Sequence, residues 1–104
     1  MTYIIPSEQL LANSDLQEIF RGVSLLKNSQ EVQQVLSDAF TESELQFIIR
    51  RWQAIKMIAK GIPYRKISKE LHISTSTVSR TAYSFYQERG GWYILLKKLG
   101  YLRD

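Results

Sequence analysis

The sequence predicts an all-α fold, and three observations predict it. Proline occurs only at positions 6 and 63, and glycine only at 22, 61, 90, 91 and 100. Between these breaks the apolar residues recur at spacings of three and four, the period of a helix with one buried face, rather than at the spacing of two that marks a strand. With 104 residues, 44% of them hydrophobic, the chain has the material for one core, and a chain of this size buries roughly two-thirds of its unfolded surface. A single domain spanning 1–104 is expected, with 1–13 as an N-terminal arm and 63–86 as a helix-turn-helix.

Ser14 and Asp15 can open a first helix with Leu16, Ile19, Phe20, Val23 and Leu26 on its inner stripe, ending near Lys27 and Asn28. Ser29 can cap a second helix that turns Val32, Val35, Leu36 and Phe40 inward. Thr41-Glu42-Ser43-Glu44 has the spacing of a capping box, in which hydroxyl and carboxylate each satisfy a free amide of the first turn. It should open the longest helix, which Gly61 ends. That helix carries Leu45, Ile48, Ile49, Trp52, Ile55 and Ala59 on one side, yet Phe47, Met57 and Ile58 lie elsewhere around it. A helix apolar over most of its circumference must be covered on several sides. In a chain this small, a second subunit is the expected cover, with a central place in a monomeric bundle as the alternative.

Charge is distributed unevenly. Residues 1–49 carry a net −5 and residues 50–104 a net +9, so the second half is a candidate surface for a polyanion, or else a solvated basic face. There is no cysteine, hence no disulfide framework and no thiolate metal site, as expected of a chain kept in a reducing cytoplasm. The N-terminal residues lack the basic and long apolar regions of a signal peptide. No stretch approaches the ~18 uninterrupted apolar residues of a membrane span. The expectation is a soluble cytoplasmic protein without a membrane partner.

The segment Pro63-Tyr64-Arg65-Lys66-Ile67-Ser68-Lys69-Glu70-Leu71-His72-Ile73-Ser74-Thr75-Ser76-Thr77-Val78-Ser79-Arg80 has helix-turn-helix spacing. Pro63 suits a first helical position, where the missing amide hydrogen costs nothing. Ile67, Leu71, Ile73 and Val78 are spaced to hold the two helices together. His72 stands at the turn position that favours positive φ, which histidine tolerates better than most residues. Ser74 is the expected N-cap of the second helix and, with Thr75, Ser76, Thr77, Ser79 and Arg80, is expected to meet DNA. Short hydroxyl side chains let a helix approach base edges and phosphates closely, and the helix dipole attracts anions. Tyr64, Arg65, Lys66 and Lys69, on the supporting helix, suit phosphate contacts, which position a protein without reading sequence.

Nothing points to catalysis. The one histidine has no cysteine or carboxylate cluster beside it, no Ser/His/Asp arrangement suggests itself, and Gly90-Gly91 has the look of a helix break rather than a phosphate loop. An enzyme is not expected, and no cofactor is required.

Leu25-Leu26-Lys27-Asn28, Phe40-Thr41, Gln46, Arg51, Ala54, Met57, Gly61, Tyr64, Ile67, Ser74-Thr75, Thr77-Val78-Ser79-Arg80 and Gly90-Gly91 together resemble the Trp repressor superfamily. Within it, they look most like the Trp-repressor-related branch known as YerC/YecD. The likeness covers about three-quarters of the chain, and the block 41–51 and the run 74–80 are its most specific parts. It implies an intertwined all-helical homodimer core bearing two helix-turn-helix heads, double-stranded DNA as partner, a roughly palindromic operator read in successive major grooves ~34 Å apart, and repression by promoter occlusion. It further implies an effector pocket, since Arg51 and Arg80 match the two arginines that flank the ligand in tryptophan-sensing members, with Thr41 and Ser84 at matching positions. L-tryptophan is the corepressor that this likeness implies. The chain departs from those members where Thr81 replaces a glycine and where Tyr83 is bulkier than its counterpart. The alternative for these residues makes Thr41 a helix cap and both arginines DNA or inter-helix contacts. For the whole chain, the alternative to a DNA-binding repressor is a helical interaction module whose basic face meets an acidic protein or RNA.

Overall fold

The computed structural model describes residues 4–87 and 90–102, and among these every regular element is helical. The chain forms two compact units, 1–41 and 42–104. Of the expected arm, 1–13, the first three residues lie outside the described ones. A 3-10 turn, Ser7–Gln9, is the one regular element among the rest of it.

The first unit holds α1 (Ser14–Ser24) and α2 (Ser29–Ala39). Each begins one residue after an asparagine. Asn13 Oδ1 accepts from the Leu16 amide at 3.1 Å, and Asn28 Oδ1 accepts from the Glu31 amide at 2.9 Å. The caps are thus Asn13 and Asn28, not Ser14 or the expected Ser29. At the second site Glu31 Oε1 also accepts from the Lys27 amide at 2.8 Å, tying the first turn back to the residue before the cap. The first helix stops at Ser24, earlier than expected, in a tight turn where the Leu25 and Leu26 amides bond to Gly22 and Val23. Neither helix buries a residue, and Ile19, Phe20, Val23 and Leu36 remain exposed.

The second unit is built on α3 (Glu42–Ala59), against which α4 (Tyr64–Leu71), α5 (Thr75–Tyr86) and α6 (Gly91–Lys98) pack. Its core joins Ala54, Ile55 and Ile58 of α3 to Ile67 of α4, Val78, Ala82 and Phe85 of α5, and Leu96 of α6. Burying an aliphatic side chain of this size stabilises by ~1.5–3 kcal/mol. Only the C-terminal half of α3 is covered. Ile58, expected off the main stripe, is buried, whereas Ile49, expected on it, is exposed together with Phe47 and Ile48.

Gly61 ends α3 with φ +79°. Its amide bonds to Ile58 O at 2.9 Å and the Ile62 amide to Met57 O at 3.1 Å, the paired bonds of a glycine C-cap. Gly100 plays the same part after α6, at φ +86°, where the Tyr101 amide bonds back to Leu96 O at 2.9 Å. The reversal sets Tyr101 edge-on to Trp52, with Trp92 6.0 Å from the same indole. The Trp92 to Leu96 segment therefore packs on α3 and α5 of its own chain.

Gly90 is required for a different reason. A Cβ there would overlap the Ser84 carbonyl oxygen and stand 3.2 Å from Gln87 O, whereas Gly91 has open space around it. Gly90→Ala should therefore lower stability by about 1–3 kcal/mol through overpacking, and Gly91→Ala should leave it unchanged or raise it by a few tenths to about 1 kcal/mol through helix propensity. Urea unfolding of the two variants checks this; equal effects would contradict it.

Candidate nucleic-acid interface

The helix-turn-helix is closed by backbone geometry that begins with Ser68. His72 adopts the left-handed conformation expected of it, φ 54° and ψ 45°, and its amide bonds to Ser68 O. The Ile73 amide bonds to the same carbonyl at 3.2 Å, and Ser68 Oγ donates to Ile73 O. Sequence reasoning missed Ser68. The structure also places Pro63 at the N-cap of α4, one position earlier than expected, with Tyr64 as the first helical residue.

Ser74 caps α5 as its spacing predicts, accepting from the Thr77 amide at 3.1 Å. Its hydroxyl also lies 3.0 Å from Ser76 Oγ and 2.8 Å from Thr77 Oγ1. Ile67 and Val78 are fully buried, and Leu71 and Ile73 are half-buried against the same core. With Val78, Thr81, Ala82 and Phe85 turned inward, the rest of α5 divides in two. Thr75, Ser79, Tyr83 and Tyr86 form one exposed stripe at spacings of four, four and three. Ser76 and Arg80 are exposed beyond it, and the side holding Thr77, Arg80 and Ser84 faces a recess. On α4, Tyr64, Arg65, Lys66 and Lys69 are all exposed. Tyr83 and Tyr86 extend the outer stripe further than the candidate contacts ran.

The recess beside α5 has a volume of about 230 Å³ and brings Arg51 of α3 together with Arg80 and Ser84. Phe47, Thr77, Thr81 and Trp92 complete it. Arg51 lies over the Phe47 ring, its guanidinium carbon 5.0 Å from the centroid. Thr81 is buried, and its hydroxyl donates to Thr77 O at 2.9 Å, so its polar atom is satisfied along the helix while its bulk remains in the recess wall. Thr41, the fourth residue of the expected pocket, belongs to the other unit. A volume of this size is below the roughly 300–1,000 Å³ usual for small-molecule pockets. Among the described residues, no group of three His, Cys, Asp or Glu side chains gathers as a metal site, and no helix is long and apolar enough to cross a membrane.

The exposed hydroxyl stripe thus lies on a capped helix, beside a supporting helix that carries exposed basic residues. Residues 14–99 match the family model described as Trp repressor protein. The chain belongs to the Trp repressor family. Membership places it in a class of DNA-binding transcription regulators. It is 31% identical over 70 residues to the uncharacterized protein YerC of Bacillus subtilis strain 168, an overlap covering 67% of each chain. Among solved structures it is similar to a TrpR-like protein of Eubacterium eligens, at 24% identity and TM-score 0.75 over 92% of this chain and 99% of that one. A candidate Trp repressor from Staphylococcus aureus is similar at 28% identity and TM-score 0.74, over 96% of this chain and all of its own. The fold is thus the TrpR-like all-helical one.

Because Ser74 Oγ satisfies an otherwise free amide, Ser74→Ala should cost about 1 kcal/mol of stability. Ser74→Asp, which keeps a capping oxygen, should retain most of it. Chemical denaturation distinguishes the two, and equal losses would show that the cap is not what Ser74 contributes.

Proposed function

We propose that this protein is a homodimeric, sequence-specific repressor that binds a roughly palindromic operator and occludes a promoter. The observation that carries the proposal is the exposed stripe of α5, fixed in place by its buried opposite side and flanked by Arg65, Lys66 and Lys69. Thr75, Ser76 and Ser79 lie where base edges would be met, while Tyr64 and the α4 cations suit the phosphates on either side. Dimerisation is supported by the apolar surface that one chain leaves uncovered. Ile19 is 56% exposed, Phe20 47%, Phe47 52% and Ile49 50%, and apolar surface on this scale marks a site of association.

A second reading, an amino-acid corepressor of the tryptophan type, is supported by the convergence of Arg51, Arg80 and Ser84 on one recess. Thr81 in its wall narrows the space for a flat ring. In the effector-free form of the proposal, Arg80 instead reaches a phosphate.

Selection from a randomised duplex pool, followed by anisotropy at several salt concentrations, tests the main reading. Affinity should fall steeply with salt, with a logarithmic slope of about 0.9 per neutralised phosphate. Replacing Ser79 or Thr75 should relax sequence preference, and Lys69→Ala should weaken all duplexes alike. A flat salt response, or no selected duplex, would overturn the proposal. Sedimentation should give twice the monomer mass. Calorimetry with L-tryptophan should show heat at one ligand per chain if the recess is a corepressor site; no heat and no change in DNA affinity leaves the effector-free repressor.

A further inference from the structure

A second recess, of about 190 Å³, lies between α3 and the turn of the helix-turn-helix. It shares Phe47, Arg51, Thr77 and Thr81 with the first, but Arg50, His72 and Ser74 belong to it alone. We propose that this recess is a phosphodiester clamp in which Arg50, beside Arg51, grips a DNA backbone phosphate next to the recognition helix. The inference rests on the DNA-binding reading above and adds a contact to it.

Three observations carry it. Arg50, Arg51, His72, Ser74, Thr77 and Thr81 line the recess beside Phe47 and Ile73, and no aspartate or glutamate does, a balance of charge that favours an anion there. Arginine's planar fork of donors suits phosphate oxygens better than a point charge would. The cation–π contact with Phe47 holds Arg51 at the wall common to both recesses, whereas Arg50, exposed, lines only the second. Finally, Ser74 and Thr77 of the wall belong to the first turn of the helix whose Thr75 and Ser76 face outward. Any duplex that meets those hydroxyls brings its backbone to the recess. The helix terminus is not itself the site, since the Thr77 amide is already taken by Ser74 Oγ at 3.1 Å.

The test compares the full-length protein with Arg50→Ala and Arg50→Lys on a selected duplex and a scrambled one, by anisotropy from 50 to 200 mM salt. Arg50→Ala should weaken both duplexes by a similar factor without changing their order. Its deficit relative to the parent should shrink by about 3.5-fold across that salt range for each phosphate that the variant leaves unneutralised, the consequence of a slope of about 0.9 per phosphate. Arg50→Lys should restore most of the slope. A methylphosphonate at the gripped position should weaken the parent and leave Arg50→Ala unaffected. Because Arg50 is exposed, both variants should keep the parent's melting temperature. A parent that binds steeply while Arg50→Ala matches it in affinity and slope overturns the clamp alone; a parent with no salt-dependent binding overturns the DNA reading with it. Inorganic phosphate, titrated into the free protein and followed by NMR, separates the other source of the same chemistry. Sub-millimolar, Arg50-dependent binding of free phosphate with an unchanged DNA slope would assign the recess to a small anion and overturn the proposal.

Discussion

Burial of Val78 against α3 and α4 is the constraint on which the helix-turn-helix depends. A helix of 12 residues is marginal on its own in water, and α5 is held by its apolar side rather than by propensity, since threonine and serine dominate its first turns. Val78, Ala82 and Phe85 fix the rotation of the helix about its axis. Each residue along a helix turns it by about 100°, so moving the anchor by one position would carry Thr75 and Ser79 out of the exposed stripe. What α5 presents to solvent is therefore decided by what faces the core. The same anchor explains why the polar residues of α5 can be short: side chains with little reach are useful only on a helix whose position is already set.

Electrostatics works on top of this packing rather than within it. The basic residues of α4 are exposed and contribute little to stability, because charges in water interact weakly and are screened by salt. Their concentration on one helix raises the local attraction for a polyanion, while the acidic excess of the first 49 residues keeps the chain's charge modest. The lysines and arginine of α4 are thus free to be replaced with little effect on the fold, whereas Ile67 on the same helix is not.

Much of the fold was legible in the sequence because periodicity and chain punctuation report on local geometry. Gly61, His72 and Ser74 each occupy the backbone conformation their chemistry favours, and the helix-turn-helix spacing placed all four of Ile67, Leu71, Ile73 and Val78 against the core. The errors are also local. Asparagine and serine stand side by side at 13–14 and 28–29, both good caps, and only the bonds from the Leu16 and Glu31 amides to the asparagine side chains show which one serves. The recesses could not be read from the sequence in the same way, because they depend on how α3 crosses the head. Arg51 was singled out by resemblance, but its neighbour Arg50 was not. Adjacent helical residues point about 100° apart, so sequence alone does not show that both line the space beside Ser74. Gly90 had a signal only as a break; that its lack of a Cβ makes room for Ser84 O is a tertiary fact.

The two halves of α3 tie these surfaces together. Its C-terminal half carries Ile55 and Ile58 into the core, and its N-terminal half presents Phe47, Ile48 and Ile49 to the outside. Phe47 is common to all of them: half-exposed and apolar, stacked under Arg51, and part of the wall of both recesses. In the proposed dimer, covering the exposed half of α3 would remove apolar area from water and at the same time restrict Phe47, and with it the guanidinium resting on its ring. Assembly and anion binding would then draw on one side chain, so a change at position 47 should be felt in both, while a change at Ile55 should be felt first in stability.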